Sequence, residues 1–151
     1  YFELPVLPRY DFTAVEKAVK DALKQPEWTA AAEEPAVQDL WLELTAGKVS
    51  EKDIKSSLYG LRDAFRIRAV NGKKTVVATV IEFKDGNSAD IFLETAGKCV
   101  CSGRCSIEIK DEFLFYVSND GAERESNDIF AALAKVLGGR PLRSPIVKRG
   151  S

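Results

Sequence analysis

Cys99, Cys101 and Cys105 are the side chains whose type and spacing most clearly suggest chemistry. Thiolates bind zinc or cycle between thiol and disulfide, but a structural zinc site usually takes four cysteine or histidine ligands. Because the chain has three cysteines and no histidine, we predict no metal site. Cys101 and Cys105 flank a three-residue turn, so a disulfide between them is one interpretation. We favour the other, in which all three cysteines are small buried strand residues.

The absence of histidine restricts catalysis as well as metal binding. Histidine is the usual general base near neutral pH, so a serine–histidine–aspartate or cysteine–histidine site is excluded within this chain. The carboxylates of the first half are Glu33, Glu34, Asp39 and Glu43. They suit the start of a helix at Pro35 better than acid–base work. No glycine-rich phosphate loop is present, and we predict no catalytic residue, no cofactor and no enzymatic activity.

Two clusters of basic residues are the candidate binding sites. One lies on a predicted hairpin, where alternate residues of a strand share a face, and the other lies near the end of the chain. The two clusters comprise Arg66, Arg68, Lys73, Lys74, Arg140, Arg143, Lys148 and Arg149. The hairpin cluster would suit phosphate or an acidic partner, and the terminal cluster would suit an acidic partner or lead into a further domain. The alternatives are a solvated sheet face with protective edge charges and an unstructured basic tail.

Length and composition are those of one globular domain. The chain has 151 residues, of which 45% are hydrophobic and 30% charged, with a net charge of −1. This balance disfavours a dedicated nucleic-acid binder, which usually carries a basic excess. No apolar run reaches the roughly 20 residues of a membrane span. The chain starts at Tyr1 without methionine, so we expect a piece of a larger protein, and we favour the cytoplasm or nucleus over secretion.

Hydrophobic periodicity predicts the elements. Apolar residues at helical spacing predict three helices within residues 11–62. Alternation and tight-turn signals then predict about six strands over residues 64–118, with strands at 89–95 and 99–101 among them. Helical spacing returns over residues 126–137. The predicted class is α+β, with a roughly six-stranded antiparallel meander and a C-terminal helix packed on the sheet.

These elements define one predicted domain over residues 1–137, followed by a basic tail over residues 138–151. In element order, residues 64–137 resemble polo-box and some pleckstrin-like modules, in which a meander is closed by a helix. That resemblance implies binding of peptides, proteins or lipids. We therefore expect a non-catalytic protein–protein interaction module, with a protein or peptide partner and with homo-oligomers left open. The alternatives are a secreted effector-like domain and a small enzyme that uses carboxylates or a thiol.

Overall fold

A computed structural model describes residues 12–24, 26–33, 35, 37–101 and 105–138. The described helices are α1 (Thr13–Leu23), α2 (Val37–Ala46), α3 (Glu51–Leu58), α4 (Gly86–Val100) and α5 (Glu123–Gly138). The described strands are β1 (Thr29–Glu33), β2 (Leu61–Asn71), β3 (Lys74–Phe83), β4 (Cys105–Lys110) and β5 (Phe113–Asp120). The predicted α+β class is confirmed.

The strands form one antiparallel sheet in the order β1-β2-β3-β5-β4. Helices pack on both of its faces, since a sheet must bury its apolar sides. Helices α1 and α5 pack on the first face. The prediction that the C-terminal helix packs on the sheet is therefore confirmed. The second face carries α2, α3 and α4. Each face has its own apolar core, and the sheet separates the two.

The predicted hairpin at residues 71–72 is confirmed. Asn71 pairs with Lys74 across a tight turn, and Gly72 adopts a φ of +61° there. Glycine takes this left-handed conformation without the steric cost that a β-carbon brings. The turn fixes the register of β2 against β3, and with it the face to which each side chain of the hairpin points.

Helix α4 occupies residues 86–100, so the predicted strands at 89–95 and 99–101 are wrong. This helix connects β3 to β4 and interrupts the predicted meander. The sheet in the described ranges has five strands where about six were expected. The resemblance to polo-box and pleckstrin-like modules depends on an uninterrupted meander and is not supported by this topology.

The start of α4 explains that error. Asp85 is its N-cap, and the carboxylate accepts a hydrogen bond from the Ser88 backbone N–H at 2.8 Å. An Asp-Gly pair is typical of hairpin turns, but aspartate is equally favoured as a helix cap. Ala89, Phe92 and Ala96 then lie on one fully buried face of the helix. Their spacing of three and four residues is helical.

Strand β1 was not predicted. It carries three consecutive alanines, and alanine is depleted in strands. The strand is held by its full pairing with β2, from Thr29 opposite Val70 to Glu33 opposite Arg66. The predicted C-terminal tail lies almost wholly outside the described residues, which end at Gly138. Among the helices of the described ranges, none combines the length and apolar composition needed to cross a bilayer.

Candidate functional site: an open surface on the sheet

The helices of the described ranges cover only half of the second face of the sheet. Side chains directly opposite one another in an antiparallel sheet share a face, so this face consists of successive cross-strand rows. The row that contains Ala64, Ile81 and Leu114 is buried beneath the helices. Two rows nearer the β2–β3 turn lie on the same face beyond the described helices, except that Cys105, at the β4 end of the first row, packs against the second core.

Burial falls steadily along the central strand β3 and shows where the cover ends. Ile81 and Thr79 are fully buried, whereas Val77 and Thr75 are half-exposed. On β5 the same change occurs between buried Tyr116 and exposed Asp120. We call the uncovered part the open surface, which comprises Thr29, Ala31, Arg68, Val70, Thr75, Val77, Ser118 and Asp120.

A buried polar row marks the boundary of the open surface. Arg66, Thr79 and Tyr116 are cross-strand neighbours. The Arg66 Nε donates to Thr79 Oγ1 at 3.0 Å, and its Nη2 donates to the Tyr116 hydroxyl at 3.4 Å. Glu43 of α2 approaches from above the sheet, with its Oε1 at 3.1 Å from the same Nη2. The guanidinium therefore ties α2 to three strands.

The electrostatics of this row reflect burial and pairing together. Burial alone would lower the pKa of the Arg66 guanidinium, but hydrogen bonds and charge at Glu43 and Tyr116 outweigh it and raise that pKa. Burial raises the pKa of the Tyr116 hydroxyl, against the opposing influence of Arg66. Both raised pKa values keep Arg66 positively charged and the Tyr116 phenol neutral at neutral pH.

The sequence predicted Arg66 as a surface binding residue, and the structure instead buries its side chain to 11% exposure. Arg68, on the same face of the strand, is exposed on the open surface. Lys73 and Lys74 are exposed at the hairpin turn beside it. The other predicted binding residues lie outside the described part of the chain, namely Arg140, Arg143, Lys148 and Arg149.

Three exposed cations lie at this end of the sheet, on the strand and at the turn. Arg68, Lys73 and Lys74 form no ion pair with any residue in the described ranges. In the strand register Glu33 lies on β1 one row from Arg68, and Asp120 closes the outermost row opposite Thr75. Lys74 pairs with Asn71 and lies on the first face, so Arg68 is the one of these cations that belongs to the open surface.

The acidic residues of the first half of the sequence have different structural roles. Asp39 lies in the first turn of α2, as expected of an acid near a helix start. Glu33 lies on strand β1, so its predicted role at a helix start is wrong. Glu34 is outside the described residues. Glu43 is the partner of Arg66. The sequence analysis placed it in the same group of carboxylates, because no local pattern distinguishes it from an ordinary exposed glutamate of a helix.

The cysteines do not behave as three buried strand residues. Cys101 and Cys105 form a disulfide with their Cα atoms 5.2 Å apart, which corrects the interpretation favoured from sequence. Cys99 remains a free thiol at the end of α4. Burial raises the pKa of this thiol, and the charge of Glu43 raises it further. No group of three or more potential metal ligands is present among the residues that the structure describes.

Cys99 packs against Gly47, at the turn that follows α2. A β-carbon at Gly47 would overlap the Cys99 sulfur. We expect Gly47→Ala to lower the free energy of unfolding by about 1–3 kcal/mol, because overpacking forces neighbouring side chains to move. Cys99→Ala in the same chain should recover part of that loss. Urea unfolding of the two single variants and the double variant measures the coupling, and purely additive losses would contradict this contact.

A concave feature lies on the first face, between α1 and α5. It is an open groove of about 540 Å³, lined by Ala18, Asp21, Ala22, Ala132, Lys135 and Val136. Asp21 already accepts a hydrogen bond from Lys17 at 2.7 Å. The groove therefore presents small apolar side chains with one charge of each sign at its margin.

The chain matches no protein-family model, no curated protein and no solved structure. The fold and the open surface are therefore the findings on which a function can be argued.

Proposed function

We propose that this chain is a non-catalytic protein–protein interaction module that binds a segment of another protein on its open surface. The observation that carries this proposal is the half-covered second face. Val77 stands partly exposed there within β3, and Val70 is exposed beside the β2–β3 turn. β-branched residues in such positions normally pack beneath a second layer, which a partner would supply.

The composition of the open surface suits recognition of protein. Its apolar side chains are Ala31, Val70 and Val77, and polar or charged side chains stand beside them, with Arg68 between Ala31 and Val77. Contact regions between proteins commonly combine an apolar centre with a polar rim. Arg68 contributes a long amphipathic side chain next to the two valines, and arginine is enriched among residues that dominate binding energy.

The polar side chains of the buried row beside the open surface hold the structure together. Arg66 is bound by Glu43, Thr79 and Tyr116, and its side chain faces the protein interior. A thiol nucleophile needs a lowered pKa, whereas burial raises that of Cys99. These two observations favour binding over chemistry as the role of this face.

Val77→Lys tests the proposal, since it places a charge at the centre of the open surface. The immobilised chain first captures candidate partners from extract, and each candidate is then purified and titrated against the chain by calorimetry. We expect Val77→Lys to weaken direct binding by roughly tenfold or more, the effect of a central interface residue.

Leu42→Lys is the matched control. Leu42 is 65% exposed on α2 and points away from buried Leu40 and Leu44. It should leave the affinity unchanged, and thermal unfolding checks that both variants fold. If every direct partner binds Val77→Lys as tightly as the unmodified chain, the open surface is not the binding site.

A secreted effector-like domain is the second candidate, and the Cys101–Cys105 disulfide favours it. Disulfides persist in oxidising compartments and are rare in the cytosol. This candidate is compatible with the same binding surface, because it concerns where the module works.

The second candidate predicts the thiol content of the chain. Purified without reductant and unfolded in denaturant, the chain should titrate one thiol, that of Cys99. Reduction should raise the count to all three cysteines of the sequence. Three thiols before reduction would remove the support for an oxidising compartment.

A further inference from the structure

Strand β4 forms the edge of the sheet opposite to β1. Within the described ranges it pairs with β5 alone, so its outer side has no strand partner there. Lys110 and Phe113 flank a two-residue turn, and residues in that position form a hydrogen-bonded pair. Such pairs alternate along a strand, so the backbone groups of Cys105, Ile107 and Ile109 point away from β5.

The chain leaves helix α5 beside this edge. Phe130 of α5 contacts Phe115 of β5, with 5.1 Å between the ring centroids. Gly138, at the end of the helix, lies close to Lys110, because a β-carbon there would be 3.8 Å from the Lys110 Cδ. Helix α5 therefore runs toward the β4–β5 turn, and residues 139–151 start from that point. An extended segment that returns from it along the edge is antiparallel to β4.

The topology of the sheet also favours a strand at this place. Strands β3 and β4 are parallel, lie on either side of β5, and are joined by α4 across the second face. A strand outside β4 would be parallel to β5 and joined to it by α5 across the first face. Strand direction and face are both reversed between the two connections, so the connections have the same hand. Crossovers between parallel strands of one sheet nearly always share one hand.

The spacing of two prolines suits an edge strand that follows α5. Proline has no N–H to donate, so it is tolerated at an edge where its nitrogen points to solvent. Pro141 and Pro145 are four residues apart, so in an extended segment both nitrogens point to the same side. With that side turned outward, the N–H groups of Leu142, Ser144 and Ile146 face β4.

The side chains of this segment match those of β4 in one register. Placed opposite Ile109, Leu142 extends the apolar row of β4 on the second face. Arg143 then lies opposite Glu108, the one acidic residue of β4, whose side chain is 42% exposed and only 3.8 Å from the Lys110 ammonium. A slip of two residues toward the turn would place Arg143 opposite Lys110 instead. Charge therefore favours the first register.

We propose that residues 142–146 pair with β4 as an added antiparallel strand and close this edge of the sheet. An exposed strand edge is a template for pairing with other chains, and natural proteins commonly cover it. The added strand protects β4 from such pairing, so partners bind the module at other surfaces. The inference is independent of the proposed function, because the open surface lies at the other end of the sheet's second face.

Paired cysteines in the full chain test the register. Glu108→Cys with Arg143→Cys should form a disulfide within one chain, because opposite residues of a non-hydrogen-bonded pair have their Cα atoms about 4.5 Å apart. Glu108→Cys with Ser144→Cys is the matched control, since those two side chains would point to opposite faces and should not bond. Both pairs are made in the Cys99→Ala chain, and mass spectrometry of the unreduced peptides identifies each bond.

Amide hydrogen exchange tests the backbone pairing. In the unmodified chain the N–H groups of Ile107 and Ile109 should exchange at least roughly tenfold more slowly than unprotected amides. Ser144→Pro removes an N–H that faces β4 and should abolish this protection. Val147→Pro is its control, because that nitrogen would point outward. The N–H of Glu108, which bonds to β5, should stay protected in all three chains.

Three results would overturn the inference. The first is a Ser144→Cys pair that bonds to Glu108→Cys as readily as the Arg143→Cys pair does. The second is exchange of the Ile107 and Ile109 amides at the unprotected rate in the unmodified chain, or protection that Ser144→Pro leaves unchanged. The third is a disulfide that joins two chains, which would assign the segment to the edge of a second copy.

Discussion

Glu43→Ala is expected to lower the free energy of unfolding by about 1–3 kcal/mol, although the Glu43 side chain lies on the exposed side of the short helix α2. Removal of one member of a buried ion pair leaves the other charge uncompensated, at a cost of about 3–5 kcal/mol when both are fully buried. Arg66 is nearly buried, but the Glu43 side chain is 40% exposed, so solvent screening reduces the expected loss.

The same reasoning predicts a reversal. Arg66→Met in the Glu43→Ala chain should recover part of the lost stability, because it removes the uncompensated charge and keeps most of the buried volume. Glu51→Ala is the control, since Glu51 pairs with Lys55 where both side chains are well exposed, and should cost less than about 1 kcal/mol. Urea unfolding followed by circular dichroism measures all four chains. A double variant less stable than Glu43→Ala would contradict the role assigned to Arg66.

Gly60→Ala is expected to cost about 2–4 kcal/mol, the sum of left-handed strain and crowding. Gly60 precedes β2 with a φ of +87°, and a β-carbon there would lie 2.6 Å from the Ser88 hydroxyl oxygen. Ser88 is buried at the start of α4, and the Gly60 carbonyl accepts a hydrogen bond from the Lys84 N–H at 2.7 Å. The substitution would therefore press the start of β2 against the start of α4.

Gly72→Ala separates the two contributions to that loss. Gly72 also has a positive φ, but no atom lies within 4 Å of the position its β-carbon would take. Gly72→Ala should therefore lower the free energy of unfolding by the left-handed strain alone, about 1–2 kcal/mol. Equal losses for the two variants in urea unfolding would show that the contact with Ser88 does not resist a methyl group.

The α+β class and the β2–β3 hairpin were predictable because both follow from local patterns. Alternation in β2 and an Asn-Gly turn leave little choice of structure over residues 65–83. Helix α4 was not predictable in the same way, since Asp85 suits both a hairpin turn and a helix cap. The hydrogen bond to Ser88 and the burial of Phe92 on the second face decide between them, and the latter is a tertiary contact.

In the candidate site, too, local sequence patterns do not determine the role of single residues. Arg66 and Arg68 occupy equivalent positions in the alternation of β2, so the sequence predicted the same role for both. The structure separates them, because the helical cover reaches Arg66 and ends before Arg68. That boundary depends on where α2 lies over the sheet, and α2 is held there by Leu40 and Leu44 in the second core and by the contact of Glu43 with Arg66, 23 residues away. No pattern within β2 contains this information.

The measurement that tests the open surface most directly is the amide spectrum of the ¹⁵N-labelled chain with and without a purified direct partner. We predict that the largest shifts fall on Thr29 and Ala31, on residues 68–77 and on residues 118–120. Shifts confined to the groove between α1 and α5, with residues 68–77 unchanged, would contradict the proposal that this uncovered half of the sheet receives the partner.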